Sequence, residues 1–366
     1  MLACALVLFA YGAAFAQNID QAVDLEDQGL TDRLPAGSRP AGLAGAYTAV
    51  GGDVHSLVYN PAGLAALKRI EVAIGFQHDN DRNRNRFFGT GNDNTFSSTN
   101  LDYFAVAYPF PTYRGSLVGA FGIYRLHSAD LDLFYSGYDS TTGTLDNFLL
   151  QQSGSVFGYN FGVGVDLSPT ISGGFSFFVL DGNLSALTQW SFAWPGPLNQ
   201  GDWSKEFLSD DVDADLDGYG ASIGLQYFPR SDITVGLSVT TPVWIYLDGD
   251  FATDIIDYYV GAPDSIFTDD GLLDIEYRLP FKIKAGLSYH PLESILLSAE
   301  VGYSDWTEAT INKKQVKIST ILGTPRAPTA VFREVVNARI GLEITLPGLP
   351  VKLRGGYAYL PYPLGF

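Results

Sequence analysis

Basic residues are scarce. The 366-residue chain holds 22 Lys and Arg against 40 Asp and Glu, a formal charge of −18. A phosphate-binding surface needs clustered cations, so this balance argues against a nucleic-acid partner. Sulfur is scarcer still, with one Cys, Cys4, and one Met. No apolar run after residue 16 is long enough for a transmembrane helix. No Lys or Arg stands between Met1 and the apolar stretch 2–16, which ends Ala14-Phe15-Ala16 before Gln17. That stretch reads as a secretory signal peptide over 1–16, with an A-x-A cleavage site and too little length to span a bilayer. The missing basic flank implies a misassigned start or a fragment. Leu2-Ala3-Cys4 resembles the end of a lipobox, but the apolar run after it makes Cys4 part of the leader. The mature chain then has no thiol and no disulfide, and its stability rests on strand pairing and burial.

Catalytic motifs are also lacking. The four His are His55, His78, His127 and His290. No local pattern places a Ser and an acid beside any of them, so no enzyme and no cofactor is expected. The acidic stretch Asp213-Ala214-Asp215-Leu216-Asp217-Gly218 opens like a calcium loop. An EF-hand would need Glu where this chain has Gly224, so the stretch reads as a solvated outer loop and no metal site is expected.

What the chain has is rhythm. From about residue 70 onward, segments of roughly ten residues with one apolar face alternate with polar connections. In 156–167, Phe157, Tyr159, Phe161, Val163, Val165 and Leu167 share one face, and Gly158, Asn160, Gly162, Gly164 and Asp166 the other. Period-two alternation of this kind makes a β-strand with two chemically different sides. Short connections at Ser168-Pro169-Thr170, Pro229–Asp232, Pro291–Glu293 and Pro347–Pro350 alternate with long polar excursions over 79–98, 128–153, 182–216, 248–274 and 305–332. Short turns on one side and long loops on the other are the mark of an outer-membrane barrel, with the apolar face in lipid and the polar face in the lumen. The reading is therefore an all-β, antiparallel up-and-down transmembrane barrel over 70–366. Trp244, Tyr246, Trp306, Tyr357 and Tyr359 are the expected interfacial aromatics.

About eleven strands are counted, the last ending at the outer side, and an odd number implies that closing strands are missing. Residues 17–69 break the rhythm. Small residues dominate Gly37–Val50 and Gly51–Tyr59, followed by Asn60-Pro61-Ala62-Gly63-Leu64. A compact segment of this kind ahead of a barrel reads as a plug, and otherwise as a periplasmic tail.

The Gly-rich run, Asp53 after it and the Asn60–Leu64 stretch resemble the N-terminal hatch of FadL/TodX-type outer-membrane transporters. The stretches Leu279–Tyr289 into Tyr303–Trp306, and Val336–Glu343 into Leu353–Tyr359, extend the likeness. The resemblance implies a fourteen-stranded barrel, three strands more than counted. It also implies a monomer in outer-membrane lipid that takes up long-chain fatty acids or aromatic hydrocarbons. It implies lateral release through a strand kink, for which Gly119 and Gly122 on the third strand are candidates. The hatch residues are Asn60, Pro61, Ala62 and Gly63. The polar faces of the later strands put Lys282, Lys284, Arg339, Lys352 and Arg354 on one lumenal wall. Lys284, Arg339 and Arg354, nearest mid-height, are candidates for a carboxylate head group. The alternative for these cations is an ion-pair network with Glu300, Glu343 and hatch acids. The alternative for the whole molecule is an accessory or assembly module of a secretion system.

Overall fold

The computed structural model describes residues 37–312, 314–315, 317–318, 330–361 and 363–365. The expected signal peptide and residues 17–36 of the expected hatch lie outside the described residues. The wall begins with β1 (Glu71–Phe87), β2 (Thr90–Phe110), β3 (Leu117–Ser128) and β4 (Leu131–Asp139). It continues through β5 (Thr144–Ser168), β6 (Ile171–Ala193), β7 (Trp203–Arg230), β8 (Ile233–Thr240) and β9 (Val243–Tyr259). Then follow β10 (Ser265–Leu279), β11 (Lys282–Leu292) and β12 (Ile295–Asp305). Four short pieces come next: β13 (Thr310–Ile311), β14 (Lys314–Gln315), β15 (Lys317–Ile318) and β16 (Ala330–Phe332). The long strands β17 (Glu334–Thr345) and β18 (Lys352–Tyr359) and the short β19 (Leu364–Gly365) complete the set.

All pairings are antiparallel, and the main path is β1-β2-β3-β5-β6-β7-β8-β11-β12-β17-β18, eleven positions as counted from the sequence. Among the described residues, no ladder joins β1 to β18. Three positions are split lengthwise. β3 and β4 both pair with β5, and β8 and β9 both pair with β7. β11 and β10 continue these as partners of β8 and β9. Pro242 and Pro280, which cannot donate to a ladder, sit at two of the breaks.

The long excursions are a correction. Most of what the sequence suggested as loop is strand. Residues 79–98 are the arms of one hairpin whose turn is Phe88-Gly89, both with positive φ, between the paired Phe87 and Thr90. Asp213–Gly218 lies in mid-strand rather than in a loop, and the described residues hold no group of three or more possible metal ligands.

The two faces exchange character partway up the wall. On β7, Ile223, Leu225 and Tyr227 point outward and are exposed, while Ser222 and Gln226 are buried inside. Higher on the same strand, Asp211, Asp213, Asp215 and Asp217 take the outward face, and Val212, Ala214 and Leu216 are buried. The change falls at Tyr219, stacked on Trp244 at 5.4 Å, with Arg278 5.9 Å from the Trp244 ring. An apolar outer face meets acyl chains, aromatic rings favour the interface, and carboxylates face water. Of the expected interfacial aromatics, Tyr357 and Tyr359 are exposed on β18. Trp306 is a correction: it is 4 % exposed and packs within the upper apolar cluster.

Candidate functional site: a seated hatch and a seam in the wall

Residues 38–67 fold inside the wall at its short-turn end. Two short helices, α1 (Ser38–Gly42) and α2 (Ser56–Tyr59), are followed by a 3-10 helix over Pro61–Ala66. Asn60 starts that last turn. Its side-chain oxygen accepts from Ala62 N at 3.2 Å, and Pro61 takes the first helical position, where no N–H is needed. Its amide nitrogen donates to Thr48 O at 2.7 Å and to Leu225 O on β7 at 3.2 Å, so one fully buried side chain ties the hatch to itself and to the wall.

The wall makes room with glycine. A Cβ on Gly174 would overlap the Pro61–Ala62 peptide, one on Gly224 the Asn60 side chain, and one on Gly236 the Thr48 carbonyl. Gly164, Gly341 and Gly356 also leave less than 3.0 Å between such a Cβ and Ala65, Leu43 and Ala44. The small face of the strand alternation is thus the contact surface of the plug. Apolar hatch residues Val54, Leu57, Leu64 and Leu67 pack against Tyr103, Ala105, Ala107, Val118 and Tyr124 of β2 and β3.

Charges fasten the other side. Glu300 on β12 accepts from Tyr47 N at 3.1 Å and Thr48 N at 2.9 Å, and pairs with Arg339 at 2.8 Å. Glu343 on β17 receives hatch Arg39 at 3.0 Å, Arg354 at 2.6 Å and Lys352 at 3.1 Å. Arg39 also donates to Asp53 at 2.9 Å, and the Tyr47 hydroxyl donates to the same carboxylate. Burial, reinforced by Asp53, holds the Tyr47 phenol well above its ordinary value, so it remains a donor. Of the three expected head-group cations, Arg339 and Arg354 therefore sit on adjacent strands but close on different carboxylates. Lys284 lies on the inner face of β11, two strands from Arg339, opposite Gly302. Arg39 and Tyr47 were not marked as partners in the sequence, because the distance between Arg39 and Glu343 along the chain hides the contact.

The wall also has a seam. The β2–β3 ladder runs from Phe110–Leu117 to Tyr103–Tyr124 and stops. Above it, β3 and β4 pair only with β5, and β2 only with β1. Higher still, β2 and β4 are joined through side chains. Asn94 exchanges bonds with Phe134 O at 2.9 Å and Phe134 N at 3.2 Å, and Asn92 does the same with Ser136. Between these points Asn100 donates to Asp130 across the seam at 3.3 Å. The ladder interruption also falls on the third strand, but Gly119 and Gly122 sit in intact ladder on both sides. The departure comes at Arg125–His127, where the β3–β5 register shifts. His127 is buried there, and His55 packs in the hatch with its ring 4.7 Å from that of Tyr103.

No protein-family model and no curated protein matches the sequence. Solved structures do. The Pseudomonas putida toluene transporter TodX aligns at 14% identity over 87% of this chain and 82% of its own, with a TM-score of 0.59. A Pseudomonas aeruginosa FadL homologue aligns at 12% identity over 91% and 80%, TM-score 0.56. The Ralstonia pickettii toluene transporter TbuX aligns at 14% over 87% and 86%, TM-score 0.50. The chain has the FadL/TodX-type fold. Within that fold, the hatch is seated near one end and the unladdered seam lies above it.

Proposed function

We propose that this protein is an outer-membrane channel for hydrophobic compounds, in which cargo enters from outside, meets the hatch and leaves sideways through the seam between β2 and β3–β4. One observation carries the reading: the lumen is filled at its short-turn end, while the wall ladder is interrupted directly above the filling. An apolar molecule stopped by the hatch has a lower-energy exit into acyl chains than into water. The transporter names among the similar folds support a hydrophobic cargo; aromatic hydrocarbons and long-chain fatty acids are the two classes proposed. That Lys284, Arg339 and Arg354 take a fatty-acid carboxylate stays a proposal, and for the two arginines it requires the ligand to replace Glu300 or Glu343. Their present geometry favours anchoring the hatch.

The test is to close the seam. Asn100→Cys with Asp130→Cys places a disulfide where one side-chain bond now crosses. In reconstituted vesicles, toluene and oleate uptake should drop to the protein-free level when oxidised and recover on reduction. Equal uptake in both states would remove the lateral route.

A further inference from the structure

The upper arm of β1 sorts its charges by face. It reads Asp79-Asn80-Asp81-Arg82-Asn83-Arg84-Asn85-Arg86, so period-two alternation puts Arg82, Arg84 and Arg86 on one side and Asp79 and Asp81 on the other. The arginine side is the outer one. It continues the even-numbered face on which Val72, Ile74 and Phe76 are exposed, and the ladder with β2 runs without a shift from Phe76–Leu101 to Phe87–Thr90. The Arg82 and Arg84 side chains are 54 % and 66 % exposed. Arg82 pairs with Asp93 of β2, and Arg84 reaches the same carboxylate at 3.4 Å. Asp93 is the one acid on this face of the hairpin, since the other outward positions of β2 beside it are Gly91, Thr95, Ser97 and Thr99. Arg86 has no ion pair among the described residues. Three guanidiniums therefore share one carboxylate, in a chain where acids outnumber bases 40 to 22. The outer face elsewhere on the wall is the reverse, with Asp211, Asp213, Asp215 and Asp217 on β7 and Asp248 and Asp250 on β9.

We propose that Arg82, Arg84 and Arg86 dock the phosphate groups of an anionic glycolipid in the outer leaflet, whose acyl chains lie on Val72, Ile74 and Phe76 below. Two observations commit the surface to that partner. One strand face runs unbroken from apolar to cationic, and its three guanidiniums against one carboxylate leave an excess of positive charge. Arg82 stands six positions beyond Phe76. That is ~20 Å along the strand and ~15 Å in height at a tilt of about 40°. The height suits phosphates carried on sugars above the acyl layer. Guanidinium forks bind phosphate oxygens bidentately, which fits Arg rather than Lys at all three positions. The inference goes beyond the choice of cargo and rests only on the lipid-facing reading of the wall.

The experiment titrates the purified protein, in a neutral detergent, with a fluorescent rough-type lipopolysaccharide, either phosphorylated or stripped of phosphate by hydrogen fluoride. At low salt the wild type should bind the phosphorylated lipid about tenfold more tightly, and added NaCl should shrink that preference. In Arg82→Gln with Arg84→Gln and Arg86→Gln the preference should fall to about one. Lys205→Glu with Arg230→Gln removes the same three units of charge from other surfaces and should leave it unchanged. Retention of the heat-modifiable gel shift reports folding. If the triple variant loses that shift, Arg86→Gln alone should still lower the preference about threefold. A wild type without preference, a preference that survives the arginine variants, or an equal loss in the charge-matched control would each overturn the site while leaving the channel intact. Failure to bind either lipid would overturn the lipid-facing reading of β1 as well.

Discussion

Glu300 shows how one side chain can hold two parts of the molecule together. Its carboxylate is buried, satisfies two hatch N–H groups and neutralises Arg339. Removing one partner of a buried pair leaves an uncompensated charge and costs ~3–5 kcal/mol. Glu300→Ala should therefore lower the thermal midpoint by several degrees and expose the Gly37–Leu67 segment to protease, measured by limited proteolysis of the folded barrel. The exposed Arg230–Asp232 pair at a short turn is the internal contrast, and Asp232→Ala should change stability by less than ~1 kcal/mol. His55 adds a pH dependence. Burial lowers its pKa from the ordinary value, with Asp53 opposing and Arg39 assisting. The unfolded chain then takes up a proton that the seated hatch refuses, so His55's stabilising contribution is complete above about pH 6.5 and is lost as pH falls below it. Hatch protease protection should decline between pH 7 and 5. Protection that rises over that interval would contradict this assignment.

At the scale of elements, the glycines decide where the plug can sit. Gly174 and Gly224 face the Pro61–Ala62 backbone and Asn60 with no space for a Cβ. Gly174→Leu should unseat the hatch while β6 keeps its ladders, seen as higher single-channel conductance with an unchanged far-UV spectrum. Unchanged conductance would mean that the plug does not limit flow. The small residues of 37–67 announced close packing, and the structure seats that segment against the inner wall. The outer halves of the strands were not legible, because composition outweighed period. Asp, Asn, Ser, Thr and Gly suggested loops over 182–216, yet Asp211, Asp213, Asp215 and Asp217 alternate with Val212, Ala214 and Leu216 as regularly as any membrane strand. The seam falls on the strand where a kink was expected. Its position depends on where the β2 and β3 ladders part, which residue types do not reveal. The pairing of Arg339 and Arg354 was foreseeable only as an alternative, since Glu300 and Glu343 are cross-strand neighbours that a list of inward residues cannot rank against a ligand.

At the scale of the whole molecule, the reversal of the two faces ties architecture to environment. Directly opposed acids on the outer surface, such as Asp213 with Asp250 and Asp215 with Asp248, are tolerable only where water screens them. The exposed Ile223 and Leu225 lower on the same strand need lipid. On the proposed channel reading, the apolar interior above the hatch is an entry chamber between water and membrane. This arrangement is the central claim, and the outward face of β7 tests it most directly. Single cysteines placed at 211, 213, 215, 217, 221, 223 and 225, in a chain whose only native Cys is Cys4, can be labelled in vesicles. Positions 211–217 should react with a membrane-impermeant maleimide, whereas 221–225 should resist it and, when spin-labelled, show collision with oxygen rather than with an aqueous nickel chelate. Equal aqueous reactivity at 213 and 223 would contradict the account.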